Sequence, residues 1–220
     1  MKRRRALSVL VLLVLTCVVG LAKAPKYVFY FIGDGMGLNQ VVATQYYLRS
    51  CQGELGVTPL CFTQFPYTGI ATSYSASSDV TDSAAGGTAL ATGHKTYNGA
   101  IGVMADGTPV TSVVEWAHRA GAKVGVATSV TINHATPASF YAHQKSRNDY
   151  YEIGTQLAAS DFEFFAGGDF AEKTNPDNPT APHLYEMARE AGYAIARGYD
   201  EYEALDGEDK VLLIQKTGAV

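Results

Sequence analysis

Apolar residues come in short blocks along this chain, separated by glycine-rich turns. The first block is an apolar run over residues 6–21, interrupted by Thr16 and Gly20, directly after a basic tetrapeptide. The second, KYVFYFI over residues 26–32, is aromatic and β-branched and stops at Gly33. That pattern predicts a buried strand. A Gly-rich turn then leads into a predicted helix over residues 38–49. In TPVTSVVEWAHRAGA (residues 108–122), Val110, Val113, Val114 and Ala117 share a helical face. Thr108 is expected to cap this helix, Pro109 to occupy its first turn and Gly121 to end it. KVGVATSV (residues 123–130) reads as the next strand, and Leu184, Met187, Ala188 and Ala191 repeat the helical spacing. YAIA and KVLLIQ read as later strands, and EKTNPDNPTAP (residues 172–182) as a surface loop.

Strands alternate with helices, and the strands are apolar on both faces. This predicts an α/β fold with a mostly parallel central sheet sandwiched by helices. In such folds chemistry gathers at the carboxyl ends of the strands. Two stretches fall there: the turn after Ile32, and TINHATPASF after Val130. The chain stops at TGAV, immediately after a strand-like run, so the sheet is expected to be incomplete at the C-terminus.

Composition narrows the class. The chain has 220 residues, 47% of them hydrophobic, enough for one large domain or part of one. The net charge of -4 gives no electrostatic footprint for nucleic acid. The N-terminus departs from the rest. Lys2, Arg3, Arg4 and Arg5 precede the apolar run, and small residues stand at Ala22 and Ala24. This is the layout of a secretory signal peptide over residues 1–24, which predicts a secreted or periplasmic protein. Pro25 is unfavourable directly after a cleavage site. The run is shorter than the ~20 residues that span a bilayer, so membrane association follows only where this segment stays uncleaved. Beyond it stand two cysteines, Cys51 and Cys61, whose spacing leaves open whether they pair.

Three segments carry candidate chemistry. In IGDGMG (residues 32–37), Asp34 stands between glycines at a strand end. The glycine spacing fits neither a dinucleotide fingerprint nor a phosphate-binding P-loop. What remains is a metal-binding carboxylate, or a plain turn. In TDSAAGGTALATGHKT (residues 81–96), Thr81 or Asp82 is placed to cap a helix, with Ser83 in its first turn and Gly93 at its end. Free amides at a helix start attract phosphate. A serine there is either a helix cap or a nucleophile, and a nucleophile needs a base or a metal to take its proton. The small residues allow close helix packing. In NHATPASFYAHQKSRNDYY (residues 133–151), His134 and Thr136 emerge from a strand end, and Pro137 steers the chain into a helix. A planar guanidinium follows at Arg147, suited to a phosphate or to a surface ion pair with Asp149 or Glu152.

Together, IGDGMG, TDSAAGGTALATGHKT, HATPA and SR, in that order, resemble the alkaline phosphatase family. The resemblance runs from Tyr27 to about Tyr150 and makes residues 25–220 the N-terminal part of such a domain. It implies hydrolysis of phosphate monoesters through a phosphoserine on Ser83, with two zinc ions and one magnesium ion (Zn2+ and Mg2+). It implies that Asp34 bridges a zinc and the magnesium, that Thr136 and His134 serve the magnesium site, and that Arg147 clamps phosphate oxygens. It also implies small-molecule phosphate monoesters as substrates and a possible homodimer when full length.

One departure stands out. The family has further zinc ligands in Asp-x-x-x-His and Asp-His pairs. Here His94, His118, His134, His143 and His183 have no acidic residue immediately before them or four before them. The sequence therefore predicts weak zinc binding and little turnover for these 220 residues alone, with apolar surface left exposed. Two alternatives follow: a phosphodiesterase-type relative, disfavoured by serine at position 83, and a catalytically inactive truncated fragment.

Overall fold

The computed structural model describes residues 25–216; the signal segment expected over residues 1–24 and the terminal TGAV lie outside the described residues. The chain divides into two compact units, Met1–Gly33 and Asp34–Val220. In the described part of the first unit, residues 26–32 do not form the expected strand. The segment is irregular and its aromatic side chains are exposed, Phe31 at 87%. A strand is stable only when a neighbouring strand takes up its backbone N–H and C=O groups, and hydrophobic character alone does not supply that pairing.

The second unit is built on a four-stranded sheet: β1 (Gly125–Thr131), β2 (Phe164–Gly168), β3 (Ala194–Arg197) and β4 (Val211–Ile214). The spatial order is β1-β2-β4-β3 and every pairing is parallel. The expected mostly parallel α/β architecture is therefore present. The helices are α1 (Leu38–Ser50), α2 (Ser83–Thr92), α3 (Val113–Arg119), α4 (Ala135–Ala138), α5 (Tyr150–Ala159), α6 (Leu184–Glu190) and α7 (Tyr199–Glu203). Phe165, Leu212 and Ile214 of the strands are fully buried with Ile153 and Leu157 of α5 and Leu184 of α6. Gly154 makes room for the last of these: a Cβ there would fall 2.3 Å from Leu184 Cδ1.

The helix expected from Thr108 starts later. Asp106 and Gly107 form a tight turn in which the Met104 N–H donates to the Thr108 carbonyl, and Val103 bridges Pro109. These bonds hold residues 108–110 extended. Ser112 is the cap instead, accepting the Glu115 N–H while Glu115 accepts the Ser112 N–H. This reciprocal pair satisfies two otherwise orphaned donors. The helix still ends before Gly121, which has φ 88°.

Residues 38–80 contrast with the core. α1 forms as expected but buries none of its residues, and Leu55, Phe65, Tyr67 and Ile70 are exposed. Cys51 and Cys61 are exposed free thiols, which answers the open question of their pairing. Among the described residues no helix is long and apolar enough to cross a membrane.

Candidate active site

The site begins at the start of α2. Asp82 is the cap: its backbone is extended and its Oδ1 accepts the Ala85 N–H at 2.9 Å. Ser83 is thus the first residue inside the helix, not its cap. Its Oγ donates to Asp34 Oδ1 at 3.1 Å. Asp34 lies in a turn whose next residue, Gly35, has φ 67°, a conformation that glycine adopts without steric cost. The second Asp34 oxygen accepts from Thr136 Oγ1 at 2.8 Å. One exposed carboxylate therefore joins two hydroxyls from separate segments.

α2 reaches this position because its inward face is bare. A Cβ on Gly87 would sit 2.7 Å from Ser139 Oγ and 3.6 Å from the Thr136 Cα. Ala84, Ala85 and Ala91 are buried on the same helix. At its far end Gly93 adopts φ 77° and its N–H returns to the Ala89 carbonyl, closing the helix in a left-handed cap.

Thr136 and His134 follow the carboxyl end of β1, where the pairing with β2 shifts register between Ala127 and Thr131. Irregularities of this kind re-aim the chain next to functional sites. The loop is then locked from beneath. Buried Asn133 donates through Nδ2 to the Tyr150 carbonyl at 2.9 Å and accepts the Ala171 N–H at 2.9 Å. The buried Tyr141 hydroxyl donates to the Ile132 carbonyl at 2.8 Å.

Arg147 is not paired with Asp149 or Glu152. Its Nη1 donates to Asp82 Oδ2 at 3.0 Å, and its Nη2 meets His134 Nε2 at 3.2 Å. Asp82 Oδ2 also accepts the Gly99 N–H at 3.0 Å. Burial pushes the Asp82 carboxyl up, but the Ala85 and Gly99 amides and the Arg147 guanidinium outweigh it and hold the group below the usual carboxylate range. His134 is pushed down by burial first and by the Arg147 charge second, against the opposing pull of Asp34. Both downward influences favour the neutral imidazole, the form that can accept from Arg147. The five residues singled out in the sequence thus form two contact groups, Asp34 with Ser83 and Thr136, and Arg147 with His134, joined by the Asp82–Ser83 step. Sequence reasoning saw Asp82 as a cap but not as the anchor of Arg147, which lies 65 residues away. A cavity of about 320 Å³ lined by Glu115, His118, Arg119 and His143 shares no residue with this site.

The donor set discriminates between metals. The Asp34 carboxylate and the Thr136 hydroxyl are hard oxygen donors, which suit magnesium, an ion that keeps several of its waters. His134 Nδ1 is buried with no hydrogen-bond partner beside them. Zinc is held by three or four nitrogen, sulfur or carboxylate ligands. Among the described residues no three His, Cys, Asp or Glu side chains are grouped to hold a metal. The residues fit a magnesium-type ion and do not by themselves form a zinc site.

Comparison with known proteins agrees with the fold. The family model described as Alkaline phosphatase matches residues 25–164. Alkaline phosphatase 4 of Drosophila melanogaster is 39% identical over 153 residues, covering 64% of this chain and 25% of that protein. Alkaline phosphatase 4 of Bacillus subtilis (strain 168) is 43% identical over 132 residues, covering 58% and 28%. Among solved structures, the alkaline phosphatase of the Antarctic bacterium TAB5 superposes with a TM-score of 0.74 at 34% identity, covering 86% of this chain and 53% of that one. A substituted form of that enzyme has magnesium bound in its M3 site. The cold-active enzyme of Shewanella sp. gives 0.73 at 32% identity, with 86% and 46% covered. The chain therefore spans about a quarter of the length of these curated relatives and about half of the solved ones. With residues 25–164 matched by the family model and the parallel sheet shared with solved members, the chain belongs to the alkaline phosphatase family.

Proposed function

We propose that the full-length protein hydrolyses small-molecule phosphate monoesters, with Ser83 as the nucleophile. The observation that carries this reading is the contact between Ser83 Oγ and Asp34 Oδ1 at the start of α2. A phosphate there would accept from the first-turn amides that the Asp82 cap, which takes the Ala85 N–H, does not occupy. Arg147 is already anchored to Asp82, so a phosphate oxygen has to displace only His134 as the acceptor for Nη2. In the first step the Ser83 Oγ–P bond forms as the ester P–O bond breaks. The hydroxyl proton passes to Asp34 Oδ1, its present acceptor, and the leaving alkoxide takes a proton from solvent. Water then attacks the phosphoserine: its oxygen bonds to phosphorus as the Ser83 Oγ–P bond breaks, Ser83 Oγ recovers its proton from Asp34, and inorganic phosphate leaves while the water's surplus proton passes to solvent.

Phosphoryl transfer asks chiefly for alignment and positive charge. Arg147 supplies charge from this chain. A magnesium ion held by Asp34 and Thr136, with His134 beside it, would add more. Two zinc ions, implied by the family resemblance, would need ligands beyond the described residues. We further propose that the protein is secreted or periplasmic and dimeric when full length.

Turnover of p-nitrophenyl phosphate tests the central claim. Ser83→Ala is expected to lower kcat roughly a thousandfold or more and to abolish covalent labelling by the substrate phosphate. Undiminished turnover in that variant would remove Ser83 from the mechanism.

A further inference from the structure

Four groups around the Ser83 site converge on one small turn. Residues 97–100 close a turn in which the Ala100 N–H donates to the Tyr97 carbonyl at 3.1 Å. Gly99 stands third in it with φ 93°, as the corresponding position of a type II turn requires. The Asn98 side chain reaches back to the chain entering α2. Its Oδ1 accepts the Asp82 N–H at 3.2 Å, and its Nδ2 donates to the Val80 carbonyl at 3.0 Å. The two contacts fix the amide's orientation, because one backbone partner is a donor and the other an acceptor. The next residue continues the pattern: the Gly99 N–H donates to Asp82 Oδ2 at 3.0 Å, and the Gly99 carbonyl accepts the Arg147 N–H at 2.7 Å. The turn is itself tied down, since the Asn98 N–H donates to Ser77 Oγ at 3.0 Å.

We propose that Asn98 is a positioning residue: it fixes the backbone of Asp82, and through Asp82 it sets both the start of the helix bearing Ser83 and the place of the Arg147 guanidinium. Asp82 is the only residue in this set that touches both halves of the site. Its Oδ1 holds the Ala85 N–H of α2, and its Oδ2 holds Arg147. Asn98 and Gly99 hold Asp82 from the side, one through its N–H and the other through its carboxylate. A small rotation of Asp82 would move Ser83 and Arg147 together, and misplacement of this kind is costly in a reaction that depends on alignment. The catalytic part of this inference rests on the phosphatase reading of Ser83; the positional part does not.

The test combines amide hydrogen exchange on the full chain with kinetics on the metal-loaded protein. In Asn98→Ala, exchange at the Asp82, Ala85 and Gly99 amides is expected to rise about five- to tenfold, the effect of losing one or two modest hydrogen bonds. Amides of β1 are expected to be unchanged. The KM for p-nitrophenyl phosphate and the inhibition constant for inorganic phosphate should rise together by a similar factor. Asn98→Asp keeps the acceptor for the Asp82 N–H and should restore protection at that amide. Unchanged exchange at Ala85 and Gly99 in Asn98→Ala would overturn the proposal. So would a uniform loss of protection that includes β1, which would mark a purely structural role. Absence of both turnover and phosphate binding in the unsubstituted full-length protein would instead sink the phosphatase reading and the catalytic half of the inference, with the exchange pattern still deciding whether Asn98 positions Asp82.

Discussion

Two adjacent glycines of α2 should respond in opposite ways to the same methyl group. Gly86 and Gly87 both lie inside the helix, where replacing glycine by alanine stabilises by about 0.8–1 kcal/mol through backbone entropy. A Cβ on Gly86 would stand 3.5 Å from Thr81 Cγ2 and 3.6 Å from Thr81 Oγ1, ordinary contacts that leave this gain intact. A Cβ on Gly87 would stand 2.7 Å from Ser139 Oγ and 3.2 Å from Ser139 Cβ. Rotating the hydroxyl relieves the first clash but not the second, and it breaks the bond from Ser139 Oγ to the Ala135 carbonyl at 2.9 Å. Overpacking of this kind costs about 1–3 kcal/mol.

The propensity term is common to both variants and cancels between them. The stability difference between Gly86→Ala and Gly87→Ala is therefore the steric cost alone, about 1–3 kcal/mol, or roughly 3–9 °C in Tm for a chain of this size. Thermal unfolding followed by circular dichroism measures it. Adding Ser139→Ala removes the nearer atom and should recover part of the difference, a coupling that a double-mutant cycle isolates. The same displacement pushes α2 away from the segment bearing Thr136, so Gly87→Ala should also lower turnover while Gly86→Ala should not. Equal stabilisation by both variants would refute the claim that bare packing of α2 against residues 136–139 places Ser83.

Asp82→Ala removes a helix cap and the partner of Arg147. It should cost about 1–2 kcal/mol in urea unfolding and weaken inorganic phosphate binding several-fold, and an unchanged phosphate inhibition constant would contradict the anchoring role. His143 is raised above its ordinary value by its hydrogen bond to Glu115 first, against burial, with help from the Gly102 carbonyl. Glu115 is lowered by His143 and by Ser112, although burial, its largest single influence, opposes this. The His143 contribution is complete below its unfolded pKa and is lost as pH rises through the raised folded value. The Glu115 contribution is present above its unfolded pKa and is lost as pH falls through the lowered folded value. The pair should stabilise most between roughly pH 4.3 and 6.5, and Glu115→Gln should flatten the Tm profile on both sides of that window. Buried Ser112 donates to the Phe140 carbonyl at 2.7 Å and accepts the Glu115 N–H, so Ser112→Ala should cost about 1–3 kcal/mol by denaturant titration.

Where local pattern decides structure, the sequence was legible. α2 shows in its run of small residues and its terminal Gly93, and β1, β3 and β4 show in short apolar runs between turns. β2 was missed because FFAGG offers two aromatic residues and then glycines, too short to show either period, and it becomes a strand by lying between β1 and β4. The error at residues 26–32 is the reverse: strong strand composition with no pairing to realise it. At α3 the expected start at Thr108–Pro109 gives way to the Ser112–Glu115 box, because the Asp-Gly turn at residues 106–107 brings the Met104 N–H onto the Thr108 carbonyl. The site residues stood out in their motifs and took their roles from the resemblance, but the direct contacts among them did not show. Ser83 meets Asp34 across 49 positions, Thr136 meets Asp34 across 102, and Arg147 meets Asp82 across 65. Separations of that size carry no local signal.

Those separations also make the two halves of the site unequal. The half bearing Arg147 and His134 is folded into the scaffold: Asn133 and Tyr141 lock the loop after β1, and the Arg147 backbone is tied to Gly99. The other half rests on Asp34, which is exposed and leads into a helix that buries none of its residues. Its carboxylate is held by the Ser83 and Thr136 hydroxyls. Both of those hydroxyls are carried by well-packed segments, α2 and the loop after β1, so these segments place the carboxylate and not the reverse. Binding a cation between Asp34 and Thr136 would then gain most by ordering the Asp34 turn, because the remaining donors already have fixed positions. Positive charge in such a site would serve two ends at once, neutralising a bound phosphate and fastening the Asp34 segment, which the core does not hold.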